Sequence, residues 1–383
     1  MGRPFHRDGQ ETPVVKILFA IKTLDSIAGG AERVLSIVAS GLVDRGHEVS
    51  IVTFDQPGGR PFYHLDPRIR KIDLAVGEPS NRTKFIEALL RIKALREFAQ
   101  AERPDAAIGF MHSIYVPMAF ALLGTGIIAL GSEHIVPEHY RSRRLEYALL
   151  LFSAPFLSGM TVLSEQTQLR YPAIVRRRMT VMPNPVDLSL KDLQISTDMK
   201  TCTLLSVGRL DEQKDHESLI RAFRSIAFEY PEWQLRIIGD GPLRPHLEEL
   251  VAALDLRDRV HLPGKISEIG NEYRAAEIFV IPSRYESFGL VTAEAMSIGL
   301  PVVGFADCPG TNELIDSGRT GLLVEPGEDR VASLASSLSS LMADSAARRV
   351  FGARARAAMD GRYSPNRICD EWEKLLNYLR EGC

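Results

Sequence analysis

Short apolar strands alternate with amphipathic helices along most of this chain of 383 residues. The pattern begins with an apolar segment at residues 14–21, followed by a double glycine and a helix over about residues 31–45. Alternation of this kind is typical of parallel sheets covered by helices. The chain is therefore predicted to be an α/β protein. At roughly 150 residues per domain, its length predicts two domains.

The alternation is interrupted once, where Pro183-Asn184-Pro185 is followed by a polar stretch without periodicity at residues 187–200. A second series of strands and helices begins at residue 202. We predict one doubly wound domain at residues 1–190, a linker within 187–200, and a second doubly wound domain at residues 191–364. A cleft is expected between the two domains. A Ser- and Ala-rich stretch at residues 332–347 is predicted to be one helix, and residues 365–380 carry an apolar stripe on another.

Composition excludes several classes of protein. Hydrophobic residues make up 45% and charged residues 25%, which excludes intrinsic disorder and a disulfide-rich miniprotein. The four cysteines are scattered, so free thiols in a reducing cytoplasm are expected. No apolar run approaches the ~20 residues of a bilayer span, and residues 1–12 are too polar for a signal peptide. We predict a cytoplasmic location.

Two glutamates, Glu286 and Glu294, stand eight positions apart around the start of a predicted helix. Between them, Ser287-Phe288-Gly289 opens this helix and Leu290 follows. The unsatisfied N–H groups at a helix start attract phosphate. One carboxylate could then meet a sugar and the other a ribose. Eight helical residues rise ~12 Å, which does not obviously suit the ~5–9.5 Å carboxylate pair of a glycosidase. The alternative is a capped helix with one buried and one surface glutamate.

The spacing Glu286-x7-Glu294 resembles the signature of the retaining glycosyltransferases of family four, which have the GT-B fold. Four other segments resemble motifs of that family in the expected order: Gly29-Gly30-Ala-Glu-Arg, Asn184-Pro-Val-Asp187, Val207-Gly208-Arg209-Leu210 with Gln213-Lys214, and Gly239-Asp240-Gly241-Pro242. The resemblance runs from about residue 14 to residue 380. It implies two Rossmann-like domains facing a central cleft, and a C-terminal helix at residues 365–383 that packs back on the N-terminal domain.

The resemblance also implies roles for individual residues. Arg209 and Lys214 would bind the diphosphate of a nucleotide sugar, which suits a guanidinium fork and an ammonium group placed after a strand. Either residue alone could be a solvated loop cation. Glu286 would orient the sugar, and His134 would line the sugar pocket, although a lone histidine is more often structural. The other predicted sugar-donor-binding residues are Gly30, Gly208, Gly239, Ser287, Phe288, Gly289, Leu290 and Glu294.

The reaction implied by the family is transfer of a sugar from a nucleoside diphosphate with retention at the anomeric carbon. The leaving phosphate oxygen would accept the proton of the acceptor. The sequence contains no Asp-x-Asp triplet, so neither a metal nor another cofactor is expected. The family favours a UDP-linked hexose or N-acetylhexosamine, with GDP-mannose second, and a glycan or polyprenyl-diphosphate-linked acceptor in cell-surface polysaccharide synthesis. The segment Cys308-Pro309-Gly310 resembles a loop of such members, but it lacks the second proline and shifts the glycine.

Basic residues beside apolar segments predict a peripheral contact with an anionic membrane. The candidate residues are Lys84, Arg91, Arg141, Arg143 and Arg144. The net charge of −3 divides into +4 for residues 1–190 and −7 for the remainder. This distribution fits an anionic ligand or membrane better than a nucleic acid, which is not an expected partner. The alternative is core helices with solvated basic faces.

Two other function classes remain open at this point. A nucleotide-sugar epimerase with the same two domains would release a free product, but the spacing of Glu286 and Glu294 argues against it. A catalytically silent protein that binds sugar nucleotides would be expected if the motifs were eroded, and they are intact. An assay with labelled donor and lipid extract separates transfer, epimerisation and binding.

Overall fold

A computed structural model describes residues 13–25, 29–77, 85–186, 202–266 and 268–382. These residues form two units. The first comprises the described residues up to Pro185 together with those from Pro365 onward, and the second those from Val186 to Ser364. The linker predicted within residues 187–200 lies outside the described residues.

The first unit contains a seven-stranded parallel sheet. Its strands are β1 (Lys16–Ala20), β2 (Glu48–Thr53), β3 (Arg70–Asp73), β4 (Ala106–Phe110), β5 (Ile128–Glu133), β6 (Gly159–Val162) and β7 (Met179–Val181). They lie in the order β3-β2-β1-β4-β5-β6-β7, so the strand order reverses between β1 and β4. Such a reversal defines a doubly wound sheet.

Helices cover both faces of this sheet. They are α1 (Gly30–Asp44), α2 (Phe85–Glu102), α3 (His112–Ala121), α4 (Arg144–Ser153), α5 (Glu165–Arg170) and α6 (Ala173–Arg176), with 3-10 turns at Pro137–Tyr140 and Ala154–Phe156. Side chains along β1 alternate between two cores. Ile17 and Phe19 belong to one buried cluster, and Leu18 and Ala20 belong to the other. Because both faces are covered, the strands are nearly continuous apolar runs.

The second unit contains a six-stranded parallel sheet in the order β10-β9-β8-β11-β12-β13. Its strands are β8 (Thr203–Val207), β9 (Gln234–Ile238), β10 (Val260–Gly264), β11 (Ile278–Ile281), β12 (Val302–Phe305) and β13 (Gly321–Val324). Its helices are α7 (His216–Ile226), α8 (Arg244–Ala253), α9 (Ile269–Ala275), α10 (Leu290–Ile298), α11 (Thr311–Leu314), α12 (Arg330–Ala343) and α13 (Ser345–Met359). The predicted pair of Rossmann-like, doubly wound domains is confirmed.

The prediction of one helix over residues 332–347 is wrong, because the chain leaves the helical conformation at Asp344. This residue has φ −109° and ψ 90°, which ends α12. Its carboxylate then accepts a hydrogen bond from the backbone N–H of Ala347 and caps α13. A side-chain cap of this kind satisfies an N–H group that has no partner within its own helix.

The last helix, α14 (Pro365–Glu381), belongs to the first unit and packs on α1. Trp372 is buried in the same cluster as the α1 side chains. The Arg45 guanidinium is 2.6 Å from the carboxylate of Glu373, and His47 Nε2 is 2.9 Å from the other oxygen of that carboxylate. Burial opposes ionisation of Glu373, but these two partners outweigh it and lower the pKa of its carboxyl group. Apolar packing and paired charges therefore hold α14 on the first unit.

Candidate functional site

The predicted catalytic residues of the second unit lie in two loops at one edge of its sheet. Arg209 and Lys214 follow β8, and Glu286 follows β11. These strands are neighbours at the point where the strand order reverses. Ligands of doubly wound sheets bind outside the carboxyl ends of the strands at this switch point. The topology therefore brings together loops that are distant in sequence.

Lys214 and Glu286 form a close ion pair. Lys214 Nζ donates a hydrogen bond to Glu286 Oε1 at 2.5 Å, and Ser283 Oγ donates to the same oxygen at 2.7 Å. The side chains of the pair are 16% and 9% exposed. Burial of two charges is tolerated when additional hydrogen bonds compensate them. The ammonium group is thus held at the switch point beside a carboxylate.

Arg209 occupies a different environment in the same loop. Its side chain is 70% exposed, and its Nε lies 3.7 Å from the carboxylate of Asp211. Such an exposed pair contributes little to stability. The guanidinium is therefore accessible to an anion in solution.

The backbones of the loops after β8 and β9 are in close contact at Gly208 and Gly239. Gly239 has φ 140°, and a Cβ atom at this position would collide with the carbonyl oxygen of Gly208. Leu210 N–H donates to the carbonyl of Asp240 at 3.0 Å. Gly239, predicted to bind the sugar donor, is thus required for the approach of these two backbones, whereas a Cβ atom at Gly208, also predicted to bind the donor, would lie 3.2 Å from the Lys214 side chain.

Glu286 and Glu294 are both buried, at 7% and 2% exposure. The alternative with one buried and one surface glutamate is therefore wrong. Glu294 lies within α10, and its Oε2 accepts a hydrogen bond from the Tyr273 hydroxyl at 2.9 Å. A carboxylate facing inward from a helix needs partners to offset the loss of hydration. Tyr273 supplies one of them, and the sequence analysis did not identify it.

The segment that leads into α10 differs in accessibility from residue to residue. Ser287 and Leu290 are partly exposed, and Gly289 is buried immediately before the helix. The Phe288 ring is buried and packs edge-on against Tyr363, with ring centroids 5.4 Å apart. Phe288 therefore anchors the start of the helix by packing.

Gly310 lies against this segment from the neighbouring loop after β12. It has φ 77°, and a Cβ atom there would lie 2.7 Å from the carbonyl oxygen of Glu286 and 2.8 Å from the N atom of Phe288. Glu286 N–H donates to the carbonyl of Pro309 at 3.2 Å. The loop that begins at the buried Cys308 therefore fixes the backbone position of Glu286.

His134 and Gly30 lie at the carboxyl edge of the first sheet, after β5 and at the start of α1. The His134 ring stacks on Phe110 with centroids 4.8 Å apart, and its Nε2 is 3.0 Å from Ser132 Oγ. Burial lowers the pKa of this imidazole to about 3. His134 is therefore neutral at physiological pH and can form hydrogen bonds without carrying charge. A Cβ atom at Gly30 would meet no other atom within 4 Å.

Glu133, the residue before His134, lies among buried hydrogen-bond donors that no sequence motif predicts. The carboxyl group of Glu133 is fully buried, and its Oε2 accepts from the Tyr115 hydroxyl at 2.5 Å and the Tyr140 hydroxyl at 3.0 Å. Its Oε1 accepts from the Ile135 N–H at 2.9 Å. Burial raises the pKa of Glu133 to about 7, although these hydrogen bonds oppose the rise.

The membrane prediction is wrong for Arg91. Only 1% of Arg91 is exposed, and its guanidinium lies 4.5 Å from the centroid of the Phe54 ring. Its Nε donates to the Val76 carbonyl at 3.3 Å, and an Nη atom is 2.5 Å from the Glu87 carboxylate. The side chain packs inward because an aromatic face, a carbonyl and a carboxylate replace its water. Lys84 lies outside the described residues.

Arg141 and Arg143, which precede α4, and Arg144, its first residue, are all exposed, in contrast to Arg91. Arg143 makes one long contact, 3.5 Å, with the carboxylate of Glu146. Large apolar side chains that follow these arginines in the chain are also exposed. They form the α4 patch, which consists of Leu145 (71%), Leu149 (43%), Phe152 (62%) and Phe156 (38%). The Phe152 ring stacks on Phe120 of α3 with centroids 6.1 Å apart, and the Phe156 ring is tilted against Phe120 with centroids 5.7 Å apart.

The described residues show neither a metal-binding cluster nor a membrane-spanning helix. They contain no cluster of three or more His, Cys, Asp and Glu side chains arranged to hold a metal ion. No helix among them combines the length and hydropathy needed to cross a bilayer. The cysteines among the described residues are free thiols: Cys202, Cys308 and Cys369.

Two doubly wound parallel sheets in one chain are the GT-B fold that the sequence resemblance implies. The family model described as Glycosyltransferase Family 4 matches residues 28–190. The model described as Glycosyl transferases group 1 matches residues 192–358. The chain belongs to the family-four glycosyltransferases, which confirms the family predicted from its five ordered motifs.

Individual relatives resemble the chain over almost its full length. It is 28% identical over 367 residues to an uncharacterized glycosyltransferase of Haemophilus influenzae, covering 94% of this chain and 99% of the relative. It is 23% identical over 370 residues to the amylovoran biosynthesis glycosyltransferase of Erwinia amylovora, with coverage of 94% and 99%. The solved structure of Anabaena HepE in complex with UDP and glucose has a TM-score of 0.78 at 20% identity, covering 95% of this chain and 100% of that one.

Proposed function

We propose that this glycosyltransferase moves a hexose or N-acetylhexosamine from a nucleoside-diphosphate sugar, with UDP favoured, and retains the anomeric configuration. The acceptor is a glycan or a polyprenyl-diphosphate-linked sugar in cell-surface polysaccharide synthesis. The observation that carries the proposal is the Lys214–Glu286 pair at the switch point of the second sheet. The Erwinia relative named for amylovoran synthesis and the HepE structure with UDP and glucose support the choice of pathway and nucleotide.

The chemistry of the pair follows from its charges. A diphosphate entering the switch point competes with Glu286 for the Lys214 ammonium, and the exposed Arg209 adds a second cation. These groups stabilise the negative charge that grows on the leaving diphosphate. Glu286, freed from part of its ion pair, accepts hydrogen bonds from sugar hydroxyls, and Glu294 meets the ribose. The leaving phosphate oxygen accepts the proton of the attacking hydroxyl, so no dedicated protein base is required.

We also propose that the reaction needs neither a metal ion nor another cofactor. The positive charge at the site comes from Lys214 and Arg209. The N–H groups at the start of α10 add the partial positive charge of a helix N-terminus. Together these groups can neutralise a diphosphate without a cation.

The first test is whether Arg209 and Lys214 act on turnover. Arg209→Ala and Lys214→Ala should each lower kcat as well as kcat/KM, by about 100-fold or more, in line with loss of ~3–4 kcal/mol of transition-state stabilisation. Arg319→Ala is a matched control, because Arg319 is also 70% exposed and pairs with Asp316 in the same unit. Near-parental turnover in both site variants would refute the assignment.

The nucleotide and the reaction class can be determined with the unmodified protein. A thermal-shift panel of UDP, GDP and ADP identifies the base, because a bound ligand raises the melting temperature by mass action. Labelled donor is then incubated with and without lipid extract. Label in an extractable glycan or lipid supports transfer, whereas an isomerised free sugar nucleotide indicates an epimerase. Binding without either product indicates a catalytically silent protein.

We further propose that the α4 patch rests on the cytoplasmic face of an anionic membrane. Its exposed leucine and phenylalanine side chains can enter the headgroup region, and Arg141, Arg143 and Arg144 can meet lipid phosphates. Each such cation contributes ~1 kcal/mol near an anionic surface, and salt weakens it. This contact would bring the first unit to a lipid-linked acceptor.

The membrane proposal is tested by sedimentation with anionic liposomes at low and high salt. Changing all three arginines to serine should weaken binding without affecting hydrolysis of the sugar donor. The control changes Arg349, Arg354 and Arg356 to serine, which removes the same charge from an exposed helix of the second unit. The proposal fails if the parent protein stays in the supernatant at low salt, or if both triple variants lose binding equally.

A further inference from the structure

Arg330, the first residue of α12, makes an unusually large number of contacts for a partly exposed arginine. Its side chain is 20% exposed, and its guanidinium carbon lies 3.4 Å from the centroid of the Phe305 ring. Its Nη1 donates to both carboxylate oxygens of Asp307 at 3.0 Å. Stacking on a ring and a charge-assisted hydrogen bond from Nη1 that both carboxylate oxygens share restrain a guanidinium better than one contact does. Arg330 is therefore held rigidly beside the ends of β11 and β12.

The remaining polar atoms of Arg330 reach both loops of the candidate site. Its Nη2 donates to the carbonyl oxygen of Ser283 at 3.3 Å, and the hydroxyl of Ser283 in turn donates to Glu286. Its Nε lies 3.7 Å from Oδ2 of Asp215, the residue directly after Lys214. One guanidinium thus contacts the neighbour of each member of the ion pair.

Asp215 is itself an unusual residue. It is 6% exposed and adopts the left-handed conformation, with φ 49° and ψ 39°, at the start of α7. Its Oδ1 accepts from Ser218 Oγ at 2.9 Å, and its Oδ2 is 3.1 Å from an Nη atom of Arg284. Aspartate adopts this conformation more readily than most residues other than glycine, and here the partners of both carboxylate oxygens hold it there. The direction in which the chain presents Lys214 therefore depends on the charged partners of Asp215.

We propose that Arg330 is a positioning residue for the Lys214–Glu286 pair. By contacting Ser283 and Asp215 together, it ties the loop after β8 to the loop after β11 and sets where the ammonium and the carboxylate stand. The inference rests on the proposed function of that pair. Without Arg330, the two groups still carry their charges but lose their geometry. A loss of geometry affects the transition state more than it affects binding of the nucleotide.

The test compares Arg330→Met and Arg330→Lys with a matched control, Arg348→Met. The Arg348 guanidinium also lies over an aromatic ring, Trp233 at 5.1 Å, and pairs with Glu277 at 2.8 Å. Its guanidinium also donates to the carbonyls of Leu341 and Met342, and none of these partners lies in the Lys214 or Glu286 loops. Arg348→Met therefore reports the effect of losing a packed arginine in the same unit. The donor is whichever of UDP-glucose, UDP-N-acetylglucosamine and GDP-mannose the parent protein hydrolyses.

We expect Arg330→Met to lower kcat about 10- to 100-fold, while the dissociation constant of the nucleotide diphosphate changes less than about threefold. Arg330→Lys keeps the positive charge but lacks the planar guanidinium group, so its kcat should lie between those of Arg330→Met and the parent. Arg348→Met should lower the melting temperature with kcat nearly unchanged. Equal effects of Arg330→Met and Arg348→Met on kcat would overturn the proposal.

A double-mutant cycle with Lys214→Ala separates positioning from a general loss of stability. If Arg330 acts through Lys214, adding Arg330→Met to Lys214→Ala should reduce turnover little further, whereas independent effects would multiply. Multiplying effects would refute the proposal. If Arg330→Met does not fold, Asp307→Asn gives the same test, because it removes the carboxylate that fixes the guanidinium.

Different results would refute the proposed function and the role of Arg330. A parent protein that turns over no sugar nucleotide, or a Lys214→Ala variant with normal turnover, would refute the proposed function. An active parent and an impaired Lys214→Ala variant, combined with normal turnover in Arg330→Met, would refute only the role of Arg330.

Discussion

Replacing Glu133 with glutamine should change how the stability of the first unit depends on pH. The carboxyl group is fully buried among hydroxyl groups, including those of Tyr115 and Tyr140, and burial raises its pKa to about 7. An unfolded glutamate has a pKa of about 4.3. The folded protein therefore holds this proton more tightly than the unfolded chain does. Glutamine has a similar shape and does not titrate.

The sign of the effect follows from proton linkage. Because the folded pKa is raised, the stabilising contribution of protonated Glu133 is complete below about pH 4 and is lost as the pH rises toward about 7. A pKa difference of about 2.7 corresponds to roughly 4 kcal/mol, most of which falls between pH 5 and pH 8. Over that range, the free energy of unfolding should fall by about 2–3 kcal/mol more in the parent than in Glu133→Gln.

The two tryptophans provide the assay, because Trp372 lies in the first unit and Trp233 in the second. In a Trp233→Phe background, Trp372 fluorescence reports urea unfolding of the first unit at pH 5 and pH 8. Glu48→Gln, at an exposed position on β2, is the control and should behave as the parent does. An identical pH dependence in Glu133→Gln and the parent would show that Glu133 does not titrate as argued.

Three further outcomes are expected. Activity should survive excess EDTA, and complete loss restored by magnesium or manganese would contradict the proposed cation-free site. Tyr273→Phe removes the hydrogen bond to Glu294 Oε2, so UDP affinity measured by calorimetry should fall about 5- to 10-fold, consistent with about 1 kcal/mol for the bond. Gly310→Ala would place a Cβ atom 2.7 Å from the carbonyl oxygen of Glu286, so turnover should fall strongly. Gly318→Ala is the control, because Gly318 has φ 76° but open space around it. This variant should have a lower melting temperature and a turnover near the parental value.

Local sequence patterns predicted the strands best where an apolar run is bounded by turn residues. The apolar-rich segments at residues 106–110, 234–238 and 278–281 coincide with the observed strands β4, β9 and β11. The edge strand β3 was missed, because its sequence Arg70–Asp73 is short and mostly charged and has no apolar alternation. β3 is a strand because it pairs with β2, about 20 residues earlier in the chain. The residues of β3 and their immediate neighbours carry no information about that pairing.

The sequence by itself determined the family, the two doubly wound domains and the identity of Lys214 and Glu286 as candidates, because motif spacing and apolar periodicity are properties of nearby residues. Only the tertiary structure decided which side chains meet: Lys214 and Glu286 are 72 positions apart and come into contact through the order of strands. The position of Arg91 was also decided by the tertiary structure. Its charge predicted a surface position, but the side chain is buried against the Phe54 ring. The roles inferred for Glu133 and Arg330 also arise from partners that only packing brings close. Burial and long-range pairing depend on how whole elements assemble, and a local pattern does not contain that information.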